Sequence, residues 1–316
     1  MNIWALGDAV VDLLPLSDMQ YQACAGGAPF NVAIGTARLS RQSGFIGRVG
    51  DDDFGHFLKQ TLSEAGVSTT SLQLDNQHKT STVLVSLGND GERGFTFLTN
   101  PSADQFLTSA ALPDFSDDIL HFCSLALVAG ACRNTLSAAI DQIKQRGGLL
   151  SFDVNLREQM WPDKYEMLKA VRHFSSQADI LKLSEEELYW MIGTQDFAQA
   201  LDGLKALPAQ LKVVTYGAQG AMVLWQDNVI HFNGYTVDSI DTTGAGDAFV
   251  AGLLAWLAGN RMPECVEQLS QAIAWASGCG ALATTRKGAL TALPDIETLN
   301  TFITQCHLPD YEIKSV

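Results

Sequence analysis

The sequence predicts an α/β fold with an open, mostly parallel sheet covered by helices on both faces. Short apolar or β-branched runs alternate with helical ones along nearly the whole chain. The 316 residues are 47% hydrophobic, enough for a large buried core. Two segments, 14–24 and 80–98, break the alternation. Strands that belong to no βαβ unit have to pack elsewhere, most simply as a small sheet over the ligand-binding edge.

Strands are read at 2–13, 43–49, 118–124, 148–153, 179–183, 211–216 and 221–225, each bounded by Gly, Asp or Ser. Helices fit 28–41, 53–65, 132–146, 163–176, 185–192, 195–205, 246–258, 264–283 and 295–305. Pro29 suits the first turn of its helix, and Pro162, Pro263 and Pro294 stand just ahead of or inside theirs. Residues 14–24 carry on from the first strand without a helix. In 80–98, Thr82 to Leu87 and Phe95 to Leu98 flank a turn at Gly88-Asn89-Asp90-Gly91, which reads as a β-hairpin. Together they make a lid whose outer face would be apolar and exposed unless a second copy covered it, so a homodimer through the lid is expected. One domain over residues 1–316, with the lid segments inserted, accounts for the chain.

The balance of 20 Lys and Arg against 35 Asp and Glu gives a net charge of −15. No basic block is longer than Thr285-Arg286-Lys287, which argues against nucleic acid and anionic membranes as partners. The six cysteines, at 24, 123, 132, 265, 279 and 306, show neither CxxC nor zinc spacing and read as reduced thiols of a cytoplasmic protein. The first residues run into an apolar strand without a basic region, so no signal peptide is expected, and no apolar run reaches transmembrane length.

Chemistry concentrates in Asp241-Thr-Thr-Gly-Ala-Gly-Asp247-Ala-Phe249. Gly244 and Gly246 permit a tight turn, so that the amides of Ala245, Gly246 and Asp247 point one way at the start of an apolar helix. Such donors, with the helix dipole, favour a phosphate. Asp247 then stands beside the bound anion, placed to take a proton from an attacking hydroxyl. Near the N-terminus, Asp8 and Asp12 bracket the carboxyl end of the first strand, where they could accept hydrogen bonds from a sugar or serve as turn and cap residues. In Gly26-Gly27-Ala28-Pro29-Phe30-Asn31, a helix start explains the Gly and Pro, and the amide of Asn31 suits a polyol. Asp51-Asp52-Asp53 lacks the spaced ligands of a calcium loop and reads as acidic helix capping.

The TTGAGD run with Asp241 and Phe249, paired with Gly26–Ala33 and with Ser40 and Gly50 beyond it, resembles the two signatures of the ribokinase-like (PfkB) carbohydrate kinases. The resemblance covers nearly the whole chain. It implies a three-layer αβα sandwich with a small β-sheet lid, in agreement with the pattern above. Residues 7–15, 44–52 and 287–294 look most like the bacterial fructokinases, with the aminoimidazole riboside kinases second. The activity so implied is transfer of the γ-phosphoryl group of ATP to the 6-hydroxyl of D-fructose, with Mg²⁺ as cofactor and K⁺ as activator.

Position by position, the resemblance assigns sugar contacts to Asp12, Gly27, Asn31, Phe97 and Arg157, with Asp8 and Asp247 beside them. A guanidinium at Arg157 could clamp hydroxyls or the transferring phosphoryl group. Catalysis falls to Asp247 with Gly244, Ala245, Gly246 and Arg157. The nucleotide side comprises Lys182, Ser184, Glu187, Thr215, Gly217, Gly220, Gly244 and Gly246. The family's Asn-x-x-Glu motif, which organises water around magnesium, has Ser184 in place of the Asn here and keeps Glu187. Backbone carbonyls at Asp241, Thr243, Ala283, Arg286 and Gly288 are the implied potassium ligands.

There is no GxxxxGK[ST], GxSxG, HExxH or strand-linked GxGxxG in the chain. A dinucleotide-dependent oxidoreductase is therefore disfavoured. The remaining rivals are a kinase of aminoimidazole riboside, another ribosyl compound or 2-keto-3-deoxygluconate, and a catalytically silent sugar-binding regulator. An intact Asp247 argues against silence, because a binding module has no need of a base.

Overall fold

The computed structural model describes residues 1–17, 19–87 and 93–315. The turn read at 88–91 lies outside the described residues. Strands are numbered in chain order. The main sheet is 10-stranded, and its parallel part runs β11 (Leu211–Thr215), β10 (Ile180–Ser184), β9 (Leu149–Asp153), β8 (Ile119–Cys123), β1 (Ile3–Leu6), β4 (Ser43–Gly50) and β5 (Leu72–Asp75). Beyond β11 come three antiparallel neighbours, β12 (Ala221–Trp225), β13 (Asn228–Phe232) and β14 (Tyr311–Ser315). The lid is a separate sheet in the order β3 (Gln20–Gly26), β2 (Val10–Ser17), β6 (Ser81–Leu87), β7 (Arg93–Phe97).

The single strand expected over 2–13 is two strands in two sheets. The chain leaves the main sheet after Leu6 and enters the lid at Val10. Gly7 makes the change of direction at φ +152°, with its α-carbon pressed so close to Pro29 that a Cβ would lie 2.7 Å from the ring. β13 and β14 were not legible as strands: Asn228–Phe232 is a short hairpin partner, and Tyr311–Ser315 is an edge strand with little burial to pattern it.

Helices cover both faces. α3 (Gly130–Gln145), α4 (Lys164–Ser175), α5 (Glu185–Ile192) and α6 (Phe197–Lys205) pack on one side against Leu120, Phe122, Leu150, Phe152, Leu181 and Leu183. α7 (Ala245–Asn260) and α8 (Val266–Thr284) pack on the other against Ile3, Ile119, Ile180 and Val213. Beside them lie α1 (Ala28–Arg38), α2 (Asp53–Glu64), α9 (Ala289–Ala292) and α10 (Ile296–Cys306). α7 is buried continuously from Ala248 to Ala258, so its first turn is anchored by the core and not by solvent-exposed caps. Among the described residues, no helix is long and apolar enough to cross a membrane.

Side-chain alternation along β8, β9 and β10 puts Cys123, Asp153 and Lys182 on the α7 face in register across the three strands, Cys123 and Asp153 at carboxyl ends and Lys182 in the middle of β10. Asp52 caps α2 by accepting the Gly55 N–H at 2.9 Å, as its acidic run suggests. At the end of β5, Asp75 accepts from Arg48 Nε at 2.8 Å, from His78 Nδ1 at 2.9 Å and from the N–H of Gln77. Burial works against this carboxylate, but the hydrogen bonds win and hold it below the usual range. Arg48 also donates to the Phe106 carbonyl at 3.0 Å and so fixes residues 103–106 against β4.

Removing one partner of this buried pair leaves the other uncompensated. Arg48→Met is expected to cost about 3 kcal/mol at neutral pH in denaturant unfolding. Because Asp75 is depressed in the folded state, its contribution is present above about pH 4 and is lost as pH falls through the folded value. The deficit of the variant should shrink below that pH; a deficit that does not change with acidification would contradict the assignment.

Candidate active site

The first turn of α7 supplies the centre. Gly244 is its N-cap in a left-handed conformation (φ +76°), and a Cβ there would lie 2.7 Å from that of Ala289. The Ala245 N–H donates to the Thr242 carbonyl at 3.2 Å, so the turn is closed by one of the three amides expected to face an anion. The N–H groups of Gly246 and Asp247 remain, at the positive end of a 16-residue helix. Asp247 Oδ2 accepts from Asn31 Nδ2 at 2.7 Å, and among the described residues no donor meets Oδ1. Burial raises the Asp247 pKa to about 6, while the Asn31 bond and the charges of Lys182 and Arg157 hold it down. The carboxylate is therefore mostly ionised at neutral pH and fixed at one oxygen.

On the sugar side, Asp8 is 7% exposed and its Oδ1 has no hydrogen-bond partner. Burial first, and then the neighbouring charge of Asp104, push its pKa up to about 7 against the pull of Arg157. A Cβ on Gly27 would come within 2.5 Å of the Asp8 carbonyl oxygen and 3.2 Å of its Oδ2, which sets Gly27 directly against this carboxyl group. Asn31 is 4% exposed, and its Oδ1 too is buried without a partner. Across the lid, Asp12 is in register with Val83, and Val83 with Phe97, so the three share one face of that sheet. Arg157 is exposed at the end of the loop after β9, with Nη1 donating to the Leu156 carbonyl at 2.8 Å. Its charge acts on both Asp8 and Asp247 without touching either.

Asp104 escaped the sequence reading. It lies in a short 3₁₀ turn, Ala103–Phe106, with a buried Oδ1 that has no partner, and burial raises its pKa. No periodic pattern marks this turn, and the signal was only an acidic residue following a proline after the hairpin.

On the nucleotide side, a cavity of about 360 Å³ brings Thr215, Gly217 and Gly220 to the same wall as Ala245 and Gly246. Ser277, Gly280, Ala281 and Thr284 also line it, and these were not singled out beforehand. Their spacing of three and four along α8 is a stripe of small residues that leaves room for a ligand. Lys182 Nζ lies 3.0 and 3.1 Å from the two carboxylate oxygens of Asp153. Ser184 is the N-cap of α5, its hydroxyl accepting the Glu187 N–H, while Glu187 Oε2 accepts the Ser184 N–H. Glu187 Oε1 accepts the Leu156 N–H at 2.8 Å, which ties the Arg157 loop to α5.

The predicted potassium residues converge beside the turn. Asp241 Oδ1 accepts from the N–H and hydroxyl of Thr243, and Oδ2 from the Gly288 N–H at 3.0 Å. The N–H groups of Ile240 and Asp241 reach the Thr284 carbonyl. Ala283 is buried at the end of α8, and the Arg286 side chain is exposed. The Asp241 carboxylate thus ties the Thr243 turn to the Gly288 loop.

This constellation of an anion turn, a fixed carboxylate, polyol-facing acceptors and a separate nucleotide cavity is that of a phosphotransferase acting on a sugar hydroxyl. The model of the pfkB family carbohydrate kinases matches residues 3–296, and the chain belongs to that family. It is 48% identical to the fructokinase of Salmonella typhimurium over 301 residues, covering 95% of this chain and 98% of that one. The aminoimidazole riboside kinase of Salmonella typhimurium is 39% identical over 305 residues, covering 96% and 95%. Among solved structures, the fructokinase of Vibrio cholerae O395 with fructose, ADP and calcium ion superimposes with a TM-score of 0.89 at 46% identity, covering 95% of this chain and 98% of that one. A double mutant of the same enzyme with fructose, ADP and potassium ion gives the same TM-score and identity, covering 95% and 97%.

The raised carboxyl of Asp8 yields a stability prediction for the ligand-free protein. Its contribution to folding is fully present below about pH 4 and is lost as pH rises through about 7. Asp8→Asn should therefore gain thermal stability relative to wild type at pH 8, by about 2 °C or more, with the gain fading toward pH 5. An equal difference at both pH values would show that Asp8 is not held in its neutral form.

Proposed function

We propose that this chain is an ATP-dependent fructokinase that phosphorylates the 6-hydroxyl of D-fructose. The observation that carries the reading is the Asp247 carboxylate, held by Asn31 at the meeting point of the polyol-facing acceptors and the nucleotide cavity. The fructose seen in the relative of known structure and the 48% identity to a fructokinase support the choice of sugar.

In this reading Asp8, Asp12 and the Asn31 side-chain carbonyl accept hydrogen bonds from sugar hydroxyls, and the lid brings Phe97 over the ring. At Asp8 and Asn31, binding thereby gives a donor to a buried oxygen that has no protein partner among the described residues. Asn31 fixes Oδ2 of Asp247, so that Oδ1 takes the proton as the hydroxyl attacks. The amides of Gly246 and Asp247 meet charge on the γ-phosphoryl group, with Arg157 closing from the sugar side. Closure of the lid excludes water, which would compete as acceptor.

Among the described residues no cluster of three His, Cys, Asp or Glu side chains could hold a metal, and both Glu187 oxygens already accept backbone N–H groups. A magnesium ion would enter with the nucleotide, with Glu187 and Ser184 as the residues that would hold its water. When bound it neutralises charge on the transferring group. Potassium fits the carbonyl-lined loops that Asp241 organises beside the turn. The lid exposes Leu16, Met19 and Leu98 at 64%, 84% and 55%, which supports a homodimer through that face. Six free thiols fit a cytoplasmic setting.

The test is a panel of acceptors with ATP, scored by kcat/KM, in which fructose should lead; a higher value for aminoimidazole riboside would overturn the choice of sugar. Asp247→Asn should keep the fold and ligand binding and lower kcat by roughly 10²-fold or more. A near wild-type rate would remove Asp247 as the base. Initial rates in KCl should exceed those in NaCl or tetramethylammonium chloride at matched ionic strength, and equal rates would remove the cation site.

A further inference from the structure

We propose that Asp153 is a positioning residue, which holds the Lys182 ammonium beneath the first turn of α7 so that it meets the phosphoryl group in transfer. This rests on the kinase reading above and extends it to a residue that itself touches no substrate.

The placement is geometric. Asp153 and Lys182 are cross-strand partners on β9 and β10, on the face that α7 covers. Both are buried, at 2% and 8% exposure, and Nζ reaches both carboxylate oxygens. A Cβ built on Gly246 would lie 3.4 Å from Nζ, so the ammonium sits against the backbone of the anion turn itself. An ammonium has three donors. Two are directed at Asp153, and the third is left for an anion in the turn.

Among the groups that face the ammonium, Asp153 is the one that fixes its position. From β8, His121 and Cys123 face it as neutral groups: burial holds the imidazole down to about 3 and pushes the thiol well up. From α5 and α7, Glu187 and Asp247 act on it through their charges, but their hydrogen bonds go to the Ser184 and Leu156 amides and to Asn31. Asp153 is the carboxylate in contact. A buried ion pair is weak evidence for stability, since apolar residues of similar volume often do as well. Its position under the turn gives this pair a use, because a preorganised cation need not reorient as charge develops on the phosphoryl group.

The experiment is a double-mutant cycle on kcat and KM with ATP and the best acceptor of the wild-type enzyme. Should that acceptor be a sugar other than fructose, the substrate reading fails while the cycle still tests the pair. Lys182→Met and Asp153→Asn should each lower kcat about 10-fold or more, with KM for the sugar changed less than about threefold. In the Lys182→Met background, Asp153→Asn should cost less than about twofold further. Asp153→Glu, which keeps the carboxylate, should recover part of the loss. The proposal is overturned if Lys182→Met leaves kcat within twofold of wild type, or if Asp153→Asn costs as much with Lys182 absent as with it present. If Asp153→Asn does not fold, Asp153→Glu decides: a kcat no better than that of Lys182→Met contradicts the role.

Discussion

One hydrogen bond joins the two helices whose N-termini make the site: Asn31 Nδ2 to Asp247 Oδ2, 2.7 Å, across 216 positions of sequence. α1 begins at the end of the lid and carries Asn31, while α7 begins at the glycine turn and carries Asp247, the proposed base. Each is held by its own packing, α1 from Pro29 to Thr36 and α7 from Ala248 to Ala258. The bond therefore measures a distance that the core has already set. It also decides which carboxylate oxygen is free to meet a hydroxyl.

Electrostatics makes the empty pocket costly and the filled one favourable. Asp8, Asn31 and Asp104 each bury an oxygen with no donor, which is a penalty in the free protein. Burial raises both carboxyls, Asp8 to about 7, and the shift toward the neutral form limits repulsion between them. In the proposed function a sugar, rich in hydroxyl donors, would remove that penalty, so that recognition and relief of the unpaired acceptors are one event. The nucleotide side is organised differently, with backbone turns, small side chains along α8 and a buried ammonium in place of open carboxylates.

Much of this was legible in the sequence because the site is made of local motifs. TTGAGD specifies its own turn and helix start, and the glycine pair before Pro29 does the same for α1. The alternation of strands and helices gave the layers. What was not legible depends on contacts between distant segments. The change of sheet at Gly7 is hard to see in the stretch from Ile3 to Leu14, where apolar residues resume soon after Gly7 and Asp8 and both sheets demand the same period. The 3₁₀ turn of Asp104 is fixed from distant segments, by Arg48 at the Phe106 carbonyl and by the Lys79 carbonyl at the Ala103 N–H. The resemblance put Lys182 on the nucleotide side, but its pairing with Asp153 shows only once the register of β9 and β10 is known. The small-residue stripe of α8 was readable in principle, but such stripes also serve helix packing, and only the cavity separates the two.

The central claim is that Asp247 acts as an ionised base whose charge Asn31 supports. The most direct measurement is the pH dependence of kcat/KM for fructose, which reports groups of the free enzyme. With Asp8 replaced by Asn to remove one of the other raised carboxyls around this pocket, the profile should fall on the acid side near pH 6. Adding Asn31→Ala withdraws the hydrogen bond that favours the charged form, and the acid limb should move to higher pH. A profile that stays level through pH 5, or a limb that Asn31→Ala leaves in place, would contradict the account.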